Sequence, residues 1–128
     1  MKAWLLAGIA GLTLAASVAC FSERTGGPAV SLADCQVPVT VIDSMHYLVA
    51  IRDFLYYPDS IAVPQGATVS WVNCEPAGTE PHTTTSDAPA WDSGEMNTGA
   101  RFSHTFPTQG AFPYHCTQHV MAAKIVVQ

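Results

Sequence analysis

The chain has 128 residues, with 5 Lys and Arg against 10 Asp and Glu, a net charge of −5, and 48% apolar residues. That length holds one domain, and its aromatic and β-branched residues can build a core, which excludes wholesale disorder. The balance lacks the basic patch that phosphate backbones require, so nucleic acid is not an expected partner.

Residues 1–19 read as a secretory signal peptide. Met1 and Lys2 give a positive start, residues 3–16 are an uninterrupted uncharged stretch, and Ser17, Val18 and Ala19 put small residues where a signal peptidase cleaves. The stretch is shorter than the roughly 20 apolar residues of a spanning helix. Removal of this segment takes Lys2 with it and leaves 109 residues with a net charge of −6. Cys20 follows Ala19 directly, so the segment also resembles a bacterial lipoprotein signal, in which that cysteine is lipidated and attaches the protein to a membrane; Ser17 stands where that pattern usually has Leu. Either reading places the protein outside the cytoplasm, periplasmic or lipid-anchored to the outer side of a membrane. Residues 20–34 include the polar run FSERTGGPAV, the composition of a flexible tether, which leaves 35–128 as the folded domain.

From Val37 onward, short alternating or β-branched segments are separated by turn formers, without helical periodicity. The expected strands are 37–42, 47–52, 60–63, 68–73, 82–86, 101–106, 111–116 and 124–127. Eight short strands predict an all-β sandwich or barrel. Pro64-Gln65-Gly66, Pro76-Ala77-Gly78, Ser93-Gly94 and Gln109-Gly110 mark turns, and residues 87–99 read as a long loop with a helical turn around Trp91. Pro113 removes a backbone donor, so its strand should lie at an edge or be irregular there.

The chemistry concentrates in Tyr114-His115-Cys116-Thr117-Gln118-His119-Val120-Met121. A thiolate, an imidazole and a thioether lie within six residues, and a turn after Cys116 lets them converge. With His82, which opens an expected strand after a Pro/Gly-rich loop, they make a His₂Cys set with a weak axial Met, the donor set of blue copper. Strand alternation turns Phe112, Tyr114 and Cys116 to the core and His115 away from it, so His115 is not expected to share the metal. His104 alternates with Phe102 and Phe106 and reads as a hydrogen-bonded structural histidine. His46 reads as surface, and Met96 as core or loop filler. Thr83 and Thr117, beside ligands, are candidates for orienting the loops.

With Cys20 assigned to lipid and Cys116 to the metal, Cys35 and Cys74 remain, either as a disulfide suited to an oxidising compartment or as two buried thiols.

The stretch from Val49 to Val127 resembles the cupredoxins, in particular small bacterial plastocyanin-, amicyanin- and pseudoazurin-like proteins. The resemblance rests on Pro58-x-x-Ile61-x-Val63-x-x-Gly66-x-x-Val69-x-Trp71-x-Asn73, His82-Thr83, Trp91-Asp92-Ser93-Gly94, Phe102-Ser103-His104-Thr105-Phe106 and Gly110-x-Phe112-x-Tyr114-x-Cys116-x-x-His119. It implies an eight-stranded Greek-key sandwich, one type 1 copper ion held by His82, Cys116, His119 and Met121, and one-electron carriage rather than catalysis. Relatives with this short loop usually have two residues between the second His and the Met, and here only Val120 intervenes. Copper storage or delivery is the alternative function, although Met-rich or His-rich tracts are absent. A third reading, an enzyme domain with a second copper beside His115, lacks the paired histidines that such a site needs. The expected partners are redox proteins, such as a cytochrome or copper enzyme with a basic face. Glu75, Glu80, Asp87, Asp92 and Glu95 read either as solvated acidic loops or as carboxylates of which some rim an apolar patch around His119, where such a partner docks and is steered by opposite charge. A monomer is expected.

Overall fold

A computed structural model describes Cys35 and residues 41–128. The signal segment, the Cys20 lipidation position and the tether all lie outside these described residues.

Among the described residues, nine strands form two mixed sheets: β1 Val41–Asp43, β2 His46–Arg52, β3 Leu55–Tyr57, β4 Ser60–Val63, β5 Thr68–Asn73, β6 Thr85–Ser86, β7 Arg101–Thr105, β8 Gly110–His115 and β9 Ala122–Val127. One sheet runs β1-β2-β5-β7, with β3 added to β2; the other runs β4-β9-β8-β6. The pairs β2/β5 and β4/β9 are parallel, and the remaining pairs are antiparallel. The all-β sandwich expected from the sequence is present, with two departures among its described strands; residues 37–40 of the first expected strand lie outside the described residues.

The first departure is β3, which sequence alternation does not reveal. It returns from β2 through a two-residue turn at Asp53 and Phe54, whose φ angles of 52° and 57° are both left-handed. Asn-Gly is the usual sequence for such a turn, and Asp-Phe carries no comparable signal. The second departure is at His82. The strand expected from 82 begins only at Thr85, and His82 instead forms an isolated bridge with Met96 inside the long loop. Two expected turns are confirmed by their closure: Ala67 N donates to Pro64 O and Thr79 N to Pro76 O, with Gly66 and Gly78 at φ +85° and +89°. That left-handed third position is where a turn of this type needs glycine.

Alternation places Val49, Ile51, Val69 and Trp71 of the first sheet against Ile61, Val63, Tyr114, Ile125 and Val127 of the second, with Trp91, Met96 and Phe106 filling between. β2 is also covered on its outer face. Leu48, Ala50 and Val72 form a second small cluster there, packed under Cys35, Cys74 and Tyr57. Cys35 and Cys74 are joined by a disulfide. This is the oxidised alternative of the two left open by the sequence, and such bonds persist in extracytoplasmic compartments. Pro113 lies in β8, and its carbonyl accepts from Asp87 N on the side facing β6. A strand residue's N–H and C=O point the same way, and β6 pairs only with His115 and Tyr114, so the missing donor falls where the ladder has run out.

Candidate metal centre

Three chain segments converge at one end of the sandwich. β8 turns Tyr114 inward and Cys116, the residue after the strand, follows on the same face, the turn beyond carries His119, and β9 starts directly after Met121. Cys116 N donates to Met121 O and Met121 N to His119 O, so the turn from Cys116 to Met121 closes on itself. His82 comes from the long connection between β5 and β6. Its backbone is held in both directions by Met96, with His82 N to Met96 O at 3.2 Å and Met96 N to His82 O at 2.8 Å.

The side chains meet at their donor atoms. His82 Nδ1 and His119 Nδ1 are 3.1 Å apart, and Cys116 Sγ lies 3.9 Å from the first and 3.6 Å from the second. The three donor atoms all fall within 4.8 Å of one another, the one such cluster of metal-ligating groups among the described residues. His82 is fully buried, Cys116 and Met121 are 4% exposed, and the His119 side chain keeps 16% of its exposure. His119 is therefore the ligand candidate that reaches solvent.

The thiol is held as a thiolate. Burial pushes its pKa up, but the Thr83 and Gln118 backbone donors, together with the His82 and His119 rings, outweigh this and bring it down to about 6. Thr83 N lies 3.3 Å from Sγ. His119 is shifted upward, first by its bond to Cys116 and, against the effect of desolvation, also by Glu80. The Thr83 hydroxyl accepts from Thr117 N at 2.9 Å, and Thr83 O accepts from Tyr56 OH at 2.6 Å. These bonds tie the His82 segment, the ligand turn and β3 together, so Thr83 and Thr117 do orient the loops as the sequence suggested.

Each imidazole turns its other nitrogen to a carboxylate. His82 Nε2 is 3.2 Å from Glu75 Oε1, and His119 Nε2 is 3.3 Å from Glu80 Oε2. Glu80 is exposed, but Glu75 is only 4% exposed. The sequence reading of Glu75 as part of a solvated acidic rim is thus corrected: continuing the alternation of β5 past its end carries Trp71, Asn73 and Glu75 inward together. Phe54 is the second residue missed, its ring lying edge-on to both His82, at 5.2 Å, and His119, at 5.0 Å.

The remaining histidines lie away from the cluster. His115 points outward and pairs with Asp87 at 2.6 Å. His46 is exposed and pairs with Asp43. His104 faces inward, stacked on Trp91 and edge-on to Phe106, and desolvation lowers its pKa. Met96 is buried in the core. A thiolate, an imidazole and a buried thioether residue in one closed turn, met by the His82 imidazole from the β5–β6 connection, form a donor set that fits one type 1 copper ion.

Residues 44–128 match the family described as copper binding proteins, plastocyanin/azurin family. Among solved structures, a purple cupredoxin from Nitrosopumilus maritimus is 27% identical, with a TM-score of 0.56 over 63% of this chain and 98% of that one. The Cu(I) form of a methionine-to-alanine mutant of amicyanin is 32% identical, with a TM-score of 0.59 over 69% and 86%. A Cu-containing nitrite reductase from Thermus scotoductus is 25% identical, with a TM-score of 0.58, and the match covers 63% of this chain but 22% of the enzyme. No curated protein sequence matches significantly.

Proposed function

Because the chain belongs to the plastocyanin/azurin family of copper-binding proteins, we propose that it is a type 1 copper electron carrier that passes single electrons between extracytoplasmic redox partners. One observation carries this reading: His82 Nδ1, Cys116 Sγ and His119 Nδ1 converge within 4.8 Å on a scaffold of strands and closed turns. Copper bound there supplies a one-electron couple between Cu(II) and Cu(I). The protein's part is to keep its donors in place, since two oxidation states that prefer different geometries exchange electrons fastest at a site that barely moves.

The side chains divide this work. Cys116 supplies the thiolate, shielded from solvent and stabilised by the Thr83 N–H. His82 is the interior imidazole. His119, partly exposed, would be the entry point for electrons, and Met121, buried in the same core cluster as Cys116, would be the fourth residue to hold the copper. Among the described residues the His115–Asp87 pair forms no cluster with a third metal-ligating group, as a second copper for catalysis would need, so the chain is proposed as a carrier and not an enzyme. Its likeness to nitrite reductase covers about a fifth of that protein. Copper storage or delivery is disfavoured by the buried, mononuclear donor set.

The partner is proposed to be a redox protein with a basic face. Phe54 (45% exposed) and Val120 (fully exposed) present apolar surface beside His119. Phe54, Thr117, Gln118, His119 and Val120 line one shallow depression. Glu80, against His119, and Glu95, bonded to Gln118 Nε2 at 2.7 Å, stand at its rim. An apolar centre with carboxylates around it suits docking by hydrophobic contact with electrostatic steering. The chain is further proposed to act as a monomer, in the periplasm or lipid-anchored through Cys20, with 1–19 removed, 20–34 as tether and 35–128 as the domain. Loading the purified domain with copper tests the reading: an intense blue thiolate band, bleached reversibly by reductant, supports it, and colourless binding refutes it.

A further inference from the structure

Among the carboxylates from Glu75 to Glu95, Glu75 is set apart by its burial. Its Oε1 meets two groups from different parts of the chain: the Phe54 N–H at 2.8 Å and His82 Nε2 at 3.2 Å. Its own N–H donates to Asn73 Oδ1, and Asn73 Nδ2 donates to Met96 O, the same carbonyl that receives the His82 N–H. Glu75 is therefore fixed from behind by the end of β5 and faces the metal side of the core.

Both of its contacts bear on the ligands. A histidine that gives Nδ1 to a metal carries its proton on Nε2, and donating that proton to a carboxylate fixes the ring and makes it a more basic ligand. Phe54 is a bulky residue at a left-handed φ of 57°, a conformation that persists only where surrounding bonds over-determine it. The bond to Glu75 is one that holds it, and the result is a ring laid edge-on to both imidazoles.

We propose that Glu75 is a positioning residue for the copper centre: its buried carboxylate takes the His82 Nε2–H and the Phe54 N–H on one oxygen, locks the inner imidazole, seats Phe54 over the ligand pair, and by its charge favours Cu(II) over Cu(I). This deepens the electron-carrier reading and rests on it. Glu80 makes the matching contact to His119 from an 81% exposed side chain, where water screens its charge. The two carboxylates are thus unequal: the inner one sets the potential, and the outer one faces the partner.

The test is Glu75→Gln in the copper-loaded full domain, since glutamine keeps the shape and an acceptor oxygen but removes the charge. The variant should retain the blue band, bind Cu(II) about 10–100-fold more weakly, and show a higher midpoint potential, by about 59 mV for each tenfold loss confined to Cu(II). Glu80→Gln should move the potential by less than half as much. A wild-type protein with no blue band defeats the electron-carrier reading itself, whereas a blue wild type and an unmoved potential in Glu75→Gln defeat only this proposal. Should Glu75→Gln fail to fold, nitrogen-edited NMR of the wild-type Cu(I) protein decides. A slowly exchanging, downfield proton on His82 Nε2 supports the proposal, and a rapidly exchanging one overturns it.

Discussion

Replacing Cys35 and Cys74 together by serine opens a loop with a sequence separation of 39 and isolates what the cross-link contributes. In the chain-entropy account, closing a loop of that length removes about 13 cal/mol/K from the unfolded ensemble, or about 4 kcal/mol at 25 °C. The native state adds to this, because both cysteines pack on Leu48, Ala50 and Val72, where serine hydroxyls meet apolar neighbours. A loss of about 4 kcal/mol is a large part of the 5–15 kcal/mol typical of a domain. At about 4–8 °C per kcal/mol it lowers Tm by about 15–30 °C. Urea unfolding of the metal-free protein is the assay. The midpoint should fall while the m-value rises, since the uncross-linked chain exposes more surface when unfolded. The blue band of the folded, copper-loaded variant should survive, because Cys74 lies on the outer face of its sheet while its neighbour Glu75 turns inward. A loss below about 1 kcal/mol would refute the loop-closure argument.

Cys116→Ser should abolish the blue band and electron transfer while leaving the β-sheet circular dichroism intact, because a hydroxyl replaces a soft thiolate poorly; a variant that stayed blue would sink the ligand assignment. In the metal-free protein, thiolate absorbance should titrate near pH 6 instead of near the ordinary 9.0. A thiol whose folded pKa is depressed adds stability in full above its unfolded pKa and loses it as pH falls through about 6, so urea midpoints of the metal-free protein should drop across that window. A midpoint near 9.0 would mean that the donors around Sγ do not act as described. Met121→Leu should keep the strong thiolate band and raise the reduction potential if the thioether is axial; an unmoved potential would assign the fourth position to Gln118, a backbone carbonyl or no group at all. Neutralising Glu80 and Glu95 together should flatten the salt dependence of transfer to a basic partner, and a wild-type rate indifferent to salt would leave docking to the apolar patch alone.

What could be read from the sequence followed from two regularities, and what could not marks where they stop. Alternation on β8 put Tyr114 and Cys116 inside and His115 outside, as found, and the Cys116-x-x-His119 spacing required a turn that returns an imidazole to the thiolate. His82 was recognisable by its place after a turn-rich stretch, although its backbone is held by Met96 and not by a strand. The hairpin to β3 was hidden because Asp53 and Phe54 adopt a conformation that their side chains do not favour, held in part by a bond to a residue 21 positions on. No window along the sequence contains that bond. Glu75 is different, for the signal was present: period-two alternation from Trp71 through Asn73 predicts an inward Glu75. Composition outweighed it, because an acidic stretch is ordinarily a solvated one. A carboxylate whose strand parity points into the core, a few residues before a candidate metal ligand, is more informative than its acidic neighbours. Its burial is tolerable only where a donor waits for it, and here the waiting donors are the Phe54 amide and the ring of His82.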